Sequence, residues 1–292
     1  EMLRLLGICS AWAAPVIHTD GGILQGRRDG AADVFLGLRY ARAKRFEVAE
    51  LESLGSETID ATEQGPKCWR PKDFPCIPAV GQKVKDACKS PLAMKMSEDC
   101  FFLDIYRPHF RSKHLPVMVW IHGGGMTIGD SGDGYSGAAG NGTRLAVEQN
   151  VIVVSLNYRL GPLGFLPFRQ LGAANGTGGM NGLYDQIVAL QWIQANIQAF
   201  GGDPHRVTLF GCSAGSLSIC TLSTSPLAQG LFHQAILESG PCIGPWGPGT
   251  VAEGEAVLQR FMVGKTEQEL YDLPPWEMLW GQGQDQVDIE FP

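Results

Sequence analysis

The sequence predicts an α/β fold with a mostly parallel central sheet and flanking helices. Two observations predict it. The runs at 117–121, 151–156, 207–210 and 235–237 are apolar almost throughout, and glycine or polar residues end each of them. Strands apolar on both faces suit the interior of a parallel sheet, where both faces are covered. Between the second and third runs, apolar residues recur at Leu183, Ile187, Leu190, Ile193 and Ile197. That three-to-four spacing is the pattern of an amphipathic helix, and strands alternating with helices define the class.

The elements follow in chain order. After Glu1, the segment from Met2 carries one positive charge at Arg4, a short apolar run and an A-x-A pattern ending at Ala13. It reads as a signal peptide over residues 1–13, ahead of one domain over 14–292, and Glu1 before Met2 suggests a longer reading frame. Residues 16–46 read as short strands with turns at Gly21-Gly22 and Asp29-Gly30. Residues 66–100 are rich in proline, lysine and cysteine and suggest a long stapled loop. The helical pattern of 183–200 is expected to stop at Gly201-Gly202, with Asp203-Pro204 turning the chain into the next strand. Residues 216–222 can form another helix.

Composition removes several functions. The formal net charge is −7, whereas a nucleic-acid binder needs clustered lysine and arginine to neutralise phosphates. No stretch reaches the ~18–20 unbroken apolar residues of a membrane span. Cys68, Cys76, Cys88 and Cys100 lack the close pairs of a zinc site, so disulfides in an oxidising compartment are expected and no metal is. Four cysteines allow three connectivities; the nested pairs Cys68–Cys100 and Cys76–Cys88 are preferred. Cys212, Cys220 and Cys242 are expected as free, buried thiols. Asn141 and Asn175 open N-x-T sequons in glycine-rich contexts, which agrees with secretion.

The chemistry concentrates at Gly211-Cys212-Ser213-Ala214-Gly215. Such a motif is weak alone, but here it directly follows a strand and precedes a helix. A tight strand-to-helix turn exposes the serine Oγ, and flanking glycines remove side chains that would collide. The helix N-terminus then presents N–H groups to a developing negative charge. His122-Gly123-Gly124-Gly125 follows the strand at 117–121 in the same way. Its main chain can approach a substrate closely and supply further donors to an oxyanion.

Longer blocks carry a specific resemblance. They are Val34 to Ala41, Ser97-Glu98-Asp99-Cys100 through Tyr106, Asn157-Tyr158-Arg159 through Leu166, and Gly182-Leu183-Tyr184-Asp185-Gln186 onward. With the two glycine motifs, they resemble the type-B carboxylesterases and cholinesterases, from about Val16 to the low 260s. The resemblance implies an α/β-hydrolase fold, a small-molecule ester substrate and no cofactor. It implies Ser213 as the acylated nucleophile and Gly124, Gly125 and Ala214 as oxyanion donors. It also implies structural ion pairs Arg45–Glu98 and Arg159–Asp185. Cys68–Cys100 would be the family's first disulfide loop, leaving Cys76–Cys88 as an addition.

Three departures qualify the expectation. The family usually has glutamate where Cys212 stands, and a neutral thiol cannot support charge there. The first disulfide loop has no aromatic near Ser90, its only tryptophan being Trp69, which argues against holding a choline ammonium over a π face. Trp246 matches an acyl-pocket tryptophan of some members. Finally, the fold places its triad in the order serine, acid, histidine. After Ser213 the only histidine is His233, with no aspartate or glutamate between them. The resemblance therefore places the acid and base beyond Pro292, so the chain reads as C-terminally truncated and weak or inactive alone. A non-catalytic cholinesterase-like adhesion protein is the alternative.

Overall fold

A computed structural model describes residues 14–19, 22–55, 57–70, 96–109, 113–132, 141–166, 179–243, 256, 264–275 and 278. The expected signal segment, Cys76, Cys88, Ser90, Asn175 and Trp246 lie outside the described residues.

The N-terminal third is built from short strands. β1 (Val16–Thr19) and β2 (Gly22–Gln25) form an antiparallel hairpin, extended by β7 (Thr58–Asp60) alongside β2. β3 (Arg27–Asp29) turns at Gly30 into β4 (Ala32–Arg39), while β5 (Ala41–Arg42) pairs with β6 (Glu50–Leu51). β8 (Lys67–Cys68) pairs with β9 (Met96–Ser97) beside a disulfide between Cys68 and Cys100.

The rest alternates strand and helix: β10 (Phe102–Pro108), β11 (Leu115–Ile121), α1 (Thr143–Gln149), β12 (Ile152–Leu156), α2 (Gly161–Phe165) and α3 (Asn181–Asn196). After them come β13 (Gly202–Cys212), α4 (Ala214–Thr224), β14 (Gln234–Glu238) and α5 (Glu267–Asp272). α3 runs on into a 3-10 turn, Ile197–Phe200, and Gly201 ends it in the left-handed conformation at φ 88°. Asp203-Pro204, expected as a turn, lies inside β13 instead. The pairing with β11 shifts register there, which accommodates a proline without an N–H to offer.

Seven strands form the central sheet in the order β14-β13-β11-β12-β10-β4-β3. β12, β11, β13 and β14 run parallel, whereas β10, β4 and β3 are joined to them and to each other antiparallel. Parallel neighbours here are separated by crossover helices, whereas β3 and β4 are linked by a two-residue turn that only an antiparallel pair can use. All five residues of β12 are buried, as are Trp192, Ile193 and Leu190 on α3.

The run at 235–237 differs from expectation. It forms β14, but every residue of that strand is exposed, with Ile236 and Leu237 each at 43%. Among the described residues β14 pairs on one side only, with β13. An apolar run forms a strand wherever it finds a partner, and its own composition does not cover its second edge.

Two ion pairs fasten the layers. Arg159 Nη2 lies 2.7 Å from Asp185 Oδ1, and both side chains are buried. Arg45 pairs with Glu98, and its Nη1 also donates to the Leu270 and Tyr271 carbonyls at 2.9 Å, tying α5 to the N-terminal strands. The cysteine expectation needs one correction. Cys212 is free, though half-buried and not buried, but Cys220 and Cys242 form a disulfide. The return of the chain along β14 carries Cys242 back against α4, a juxtaposition that no sequence spacing encodes. Asn141 is exposed and accepts from the Thr143 N–H at 3.0 Å.

Candidate active site

Ser213 sits at the junction of β13 and α4 with φ 56° and ψ −121°, a backbone region that a side chain with a Cβ rarely adopts. Two contacts hold it there. Its N–H donates to the Glu238 carbonyl at 2.8 Å, and its carbonyl accepts the Leu217 N–H at 3.0 Å. Gly215 is needed for closeness: a Cβ there would lie 2.1 Å from the Ile121 carbonyl oxygen. The strained residue is therefore clamped between the end of β11 and the end of β14, and its side chain remains exposed.

The glycine loop from β11 reaches the same point. A Cβ on Gly123 would stand 3.3 Å from the Ser213 Cβ and 2.5 Å from the Cys212 carbonyl oxygen. Gly124 and Gly125 both have positive φ, and the Gly124 carbonyl accepts from the Thr127 and Ile128 N–H groups. Among the described residues, the Gly124 and Gly125 N–H groups have no protein acceptor. Ala214 opens α4, so its N–H has no intrahelical acceptor either. Three unspent backbone donors thus come from the two turns that pack against each other at Ser213.

His122 anchors the loop. Its Nδ1 lies 2.9 Å from the Gly123 carbonyl, and its ring stacks on Tyr158 with centroids 4.3 Å apart. Tyr158 Oη donates to the His122 carbonyl at 2.8 Å. Burial holds the imidazole neutral, its pKa lowered to about 4. A peptide's C=O and N–H point in opposite directions. A Gly123 carbonyl held toward His122 therefore sends the Gly124 N–H to the other side of the loop.

The block at 157–166 braces this arrangement from behind. The Gly161 N–H donates to the Met126 carbonyl at 2.7 Å, and Asn157 Oδ1 accepts from the Ser131 N–H at 2.8 Å. Ser131 Oγ donates to Asp104, a buried carboxylate that also accepts from the Gly37 N–H and from Gln64. Burial pushes the Asp104 carboxyl above its usual range, against those three donors. Asp130, at the loop's exit, is buried against Lys67 at 2.7 Å.

Sequence reasoning missed the support on the far side of Ser213. A Cβ on Gly240 would lie 2.6 Å from the Ser213 carbonyl oxygen, and Ser216 Oγ donates to the Gly240 carbonyl at 2.7 Å. The Cys220–Cys242 disulfide closes this bracket around the elbow. Glu238 stands opposite Cys212 in the β13–β14 register, so a carboxylate occupies the neighbouring strand where the thiol cannot supply one. The only signal in sequence was the pair of cysteines.

No triad is assembled among the described residues. Ser213 Oγ hydrogen-bonds to no described side chain. His233 Nδ1 instead accepts from the Val207 N–H at 3.3 Å, below the sheet edge. Among the described residues no cluster of His, Cys, Asp or Glu could hold a metal ion, and no helix is long and apolar enough to cross a membrane.

Comparison with known proteins adds a family. The chain matches the carboxylesterase family model over residues 13–264. It is 39% identical over 229 residues to para-nitrobenzyl esterase of Bacillus subtilis, covering 77% of this chain and 43% of that protein. With acetylcholinesterase of Danio rerio the identity is 38% over 272 residues, covering 88% and 40%. Among solved structures, a PNB esterase superposes with TM-score 0.75 and 33% identity, covering 91% of this chain and 53% of the other. The chain spans about half the length of the relatives it matches.

Proposed function

The chain belongs to the carboxylesterase family, and on that premise we propose that it carries the nucleophile and oxyanion hole of a carboxylic-ester hydrolase. Ser213 is the nucleophile, and the N–H groups of Gly124, Gly125 and Ala214 are the oxyanion donors. The observation that carries this reading is the convergence of the strained Ser213 turn and the Gly123–Gly125 loop on one point.

In this scheme Ser213 Oγ attacks the ester carbonyl carbon as its proton passes to a general base. The carbonyl π pair moves to oxygen, and the three N–H groups stabilise the oxyanion as it forms. Collapse expels the alcohol, which takes up a proton, and leaves an acyl-serine that water hydrolyses in the same two steps. Removing one oxyanion donor typically costs about 3–4 kcal/mol in such sites. None of the described histidines bonds to Ser213 Oγ, so the general base is a group outside the described residues. Without such a base a serine hydroxyl is a weak nucleophile.

The substrate proposed is a small uncharged carboxylic ester rather than a choline ester. Trp69, the one tryptophan of the loop from Cys68 to Cys100, packs beside Phe46, Leu163 and Leu270. It is partly buried against a hydrophobic cluster. The Cys68–Cys100 and Cys220–Cys242 disulfides suit an oxidising compartment. Secretion, with Asn141 as an exposed glycan acceptor, is the localisation that fits them.

The test is labelling of the full-length natural protein with a fluorophosphonate probe. Covalent modification that disappears in Ser213→Ala is expected. No labelling of the folded protein would favour the non-catalytic adhesion reading, which Cys212 and the unpaired Ser213 Oγ motivate.

A further inference from the structure

A cleft of about 460 Å³ opens at the end of the sheet opposite Ser213. β11 leaves it at Leu115 and reaches the glycine loop after Ile121, so the two places are separated by about 20 Å at ~3.3 Å per residue. Its volume lies within the ~300–1,000 Å³ typical of small-molecule sites. Nothing in the proposed ester chemistry uses it.

The lining has a definite chemistry. Its titratable residues are His18, Arg107, Lys113 and His114, and no aspartate or glutamate lines it among the described residues. In a chain of net charge −7 this is a local reversal of sign. Arg107 is held in place, with Nη1 donating to the Phe200 carbonyl and Nη2 to Asp33 Oδ2, each at 3.0 Å, while its buried Nε has no partner. Asp33 also pairs with Arg28 and lies 3.2 Å from His109 Nδ1, so one buried carboxylate is shared among three basic side chains. Lys113 and His114 are exposed at the mouth, and His114 is presented from a left-handed backbone at φ 58°.

The remaining wall holds apolar Val16, 43% exposed, Ile17 and Ala199, beside Gln198, Gly201 and Gly202. The 3-10 turn Ile197–Phe200 ends here, and its partial negative charge would oppose a dense dianion. However, the Phe200 and Gly201 carbonyls are already taken by Arg107 and the Leu115 N–H. A cationic rim over an apolar wall, beside a helix end, suits a singly charged group with a hydrocarbon tail. We infer that this cleft is a second binding site, for a small organic carboxylate whose charge meets Lys113, His114 and Arg107 and whose tail lies on Val16 and Ile17.

Isothermal titration of the full-length chain with octanoate tests this, in the Ser213→Ala background so that the esterase site cannot react. Saturable one-to-one binding is expected, with octan-1-ol and inorganic phosphate each binding at least about ten-fold more weakly. Lys113→Gln with His114→Asn should weaken octanoate about five- to ten-fold, the loss of one exposed charge pair and one imidazole hydrogen bond. Asparagine is chosen because it tolerates the left-handed backbone. Should the double variant fold poorly, Lys113→Gln alone at its exposed position should still weaken octanoate about three-fold. Absence of saturable octanoate binding would overturn the inference, as would binding that the variants leave unchanged. Octanol binding as tightly as octanoate would remove the role of charge, and phosphate doing so would remove the apolar wall; either result overturns the site as described.

Discussion

β12 and β14 look alike as sequence and are opposite as structure. Each is a five-residue strand built on an apolar run, Ile152 to Val154 in β12 and Ala235 to Leu237 in β14, and each pairs in parallel with a neighbour in one sheet. β12 lies between β11 and β10 and is buried at every position; among the described residues β14 borders only β13 and is exposed at every position. Yet β14 supports the reactive serine, because its Glu238 carbonyl holds the Ser213 N–H. The comparison teaches that the candidate site draws on two unlike supports. The glycine loop hangs on the buried interior, whereas the far side of Ser213 rests on β14 and the segment after it, which the Cys220–Cys242 disulfide ties to α4.

The sharpest test removes charge from the interior. Asp185→Ala should cost about 3–5 kcal/mol in urea unfolding, since it leaves the buried Arg159 uncompensated. A loss below about 1 kcal/mol would show that the interior is not the rigid half. The same truncation on each strand comes next. Ile152→Ala in β12 should cost about 2–5 kcal/mol, against less than about 1 kcal/mol for Ile236→Ala in β14. Equal costs would break the comparison outright.

Acid should loosen the interior through His122. Its unfolded imidazole protonates near pH 6.5, but the folded one stays neutral down to about pH 4. In that window only the unfolded state binds the proton, so stability falls as pH drops from about 6.5 to about 4 and this group adds no further loss below. The shift corresponds to about 3 kcal/mol, and His122→Gln should flatten that part of the pH–stability curve. The smallest effect is expected at the edge. Ile236→Lys should change the stability of the 292-residue chain by no more than about 0.5 kcal/mol while reducing its self-association in sedimentation, because a charge blunts a strand edge that no described residue pairs.

The same contrast explains what could be read in advance. The strands at 117–121, 151–156 and 207–210, the helix stopped at Gly201 and the serine turn are all local patterns, and each appears in the structure. The Arg45–Glu98 and Arg159–Asp185 pairs came through family resemblance, since a separation of 53 or 26 residues carries no physical signal in one sequence. Pairing of Cys220 with Cys242 was missed for the same reason. So was the antiparallel half of the sheet: apolar runs declare strands without declaring the direction of their neighbours.

By itself, then, the sequence determined the α/β class, the serine-bearing turn, the glycine loop and the acidic balance of the chain. These depend on residue type over a few neighbouring positions. Only the tertiary structure decided that Gly123 packs on Ser213, that β14 and Gly240 clamp it from the other side, and that four basic side chains meet in one cleft. Those are contacts between segments tens of residues apart, fixed by which strand lies beside which.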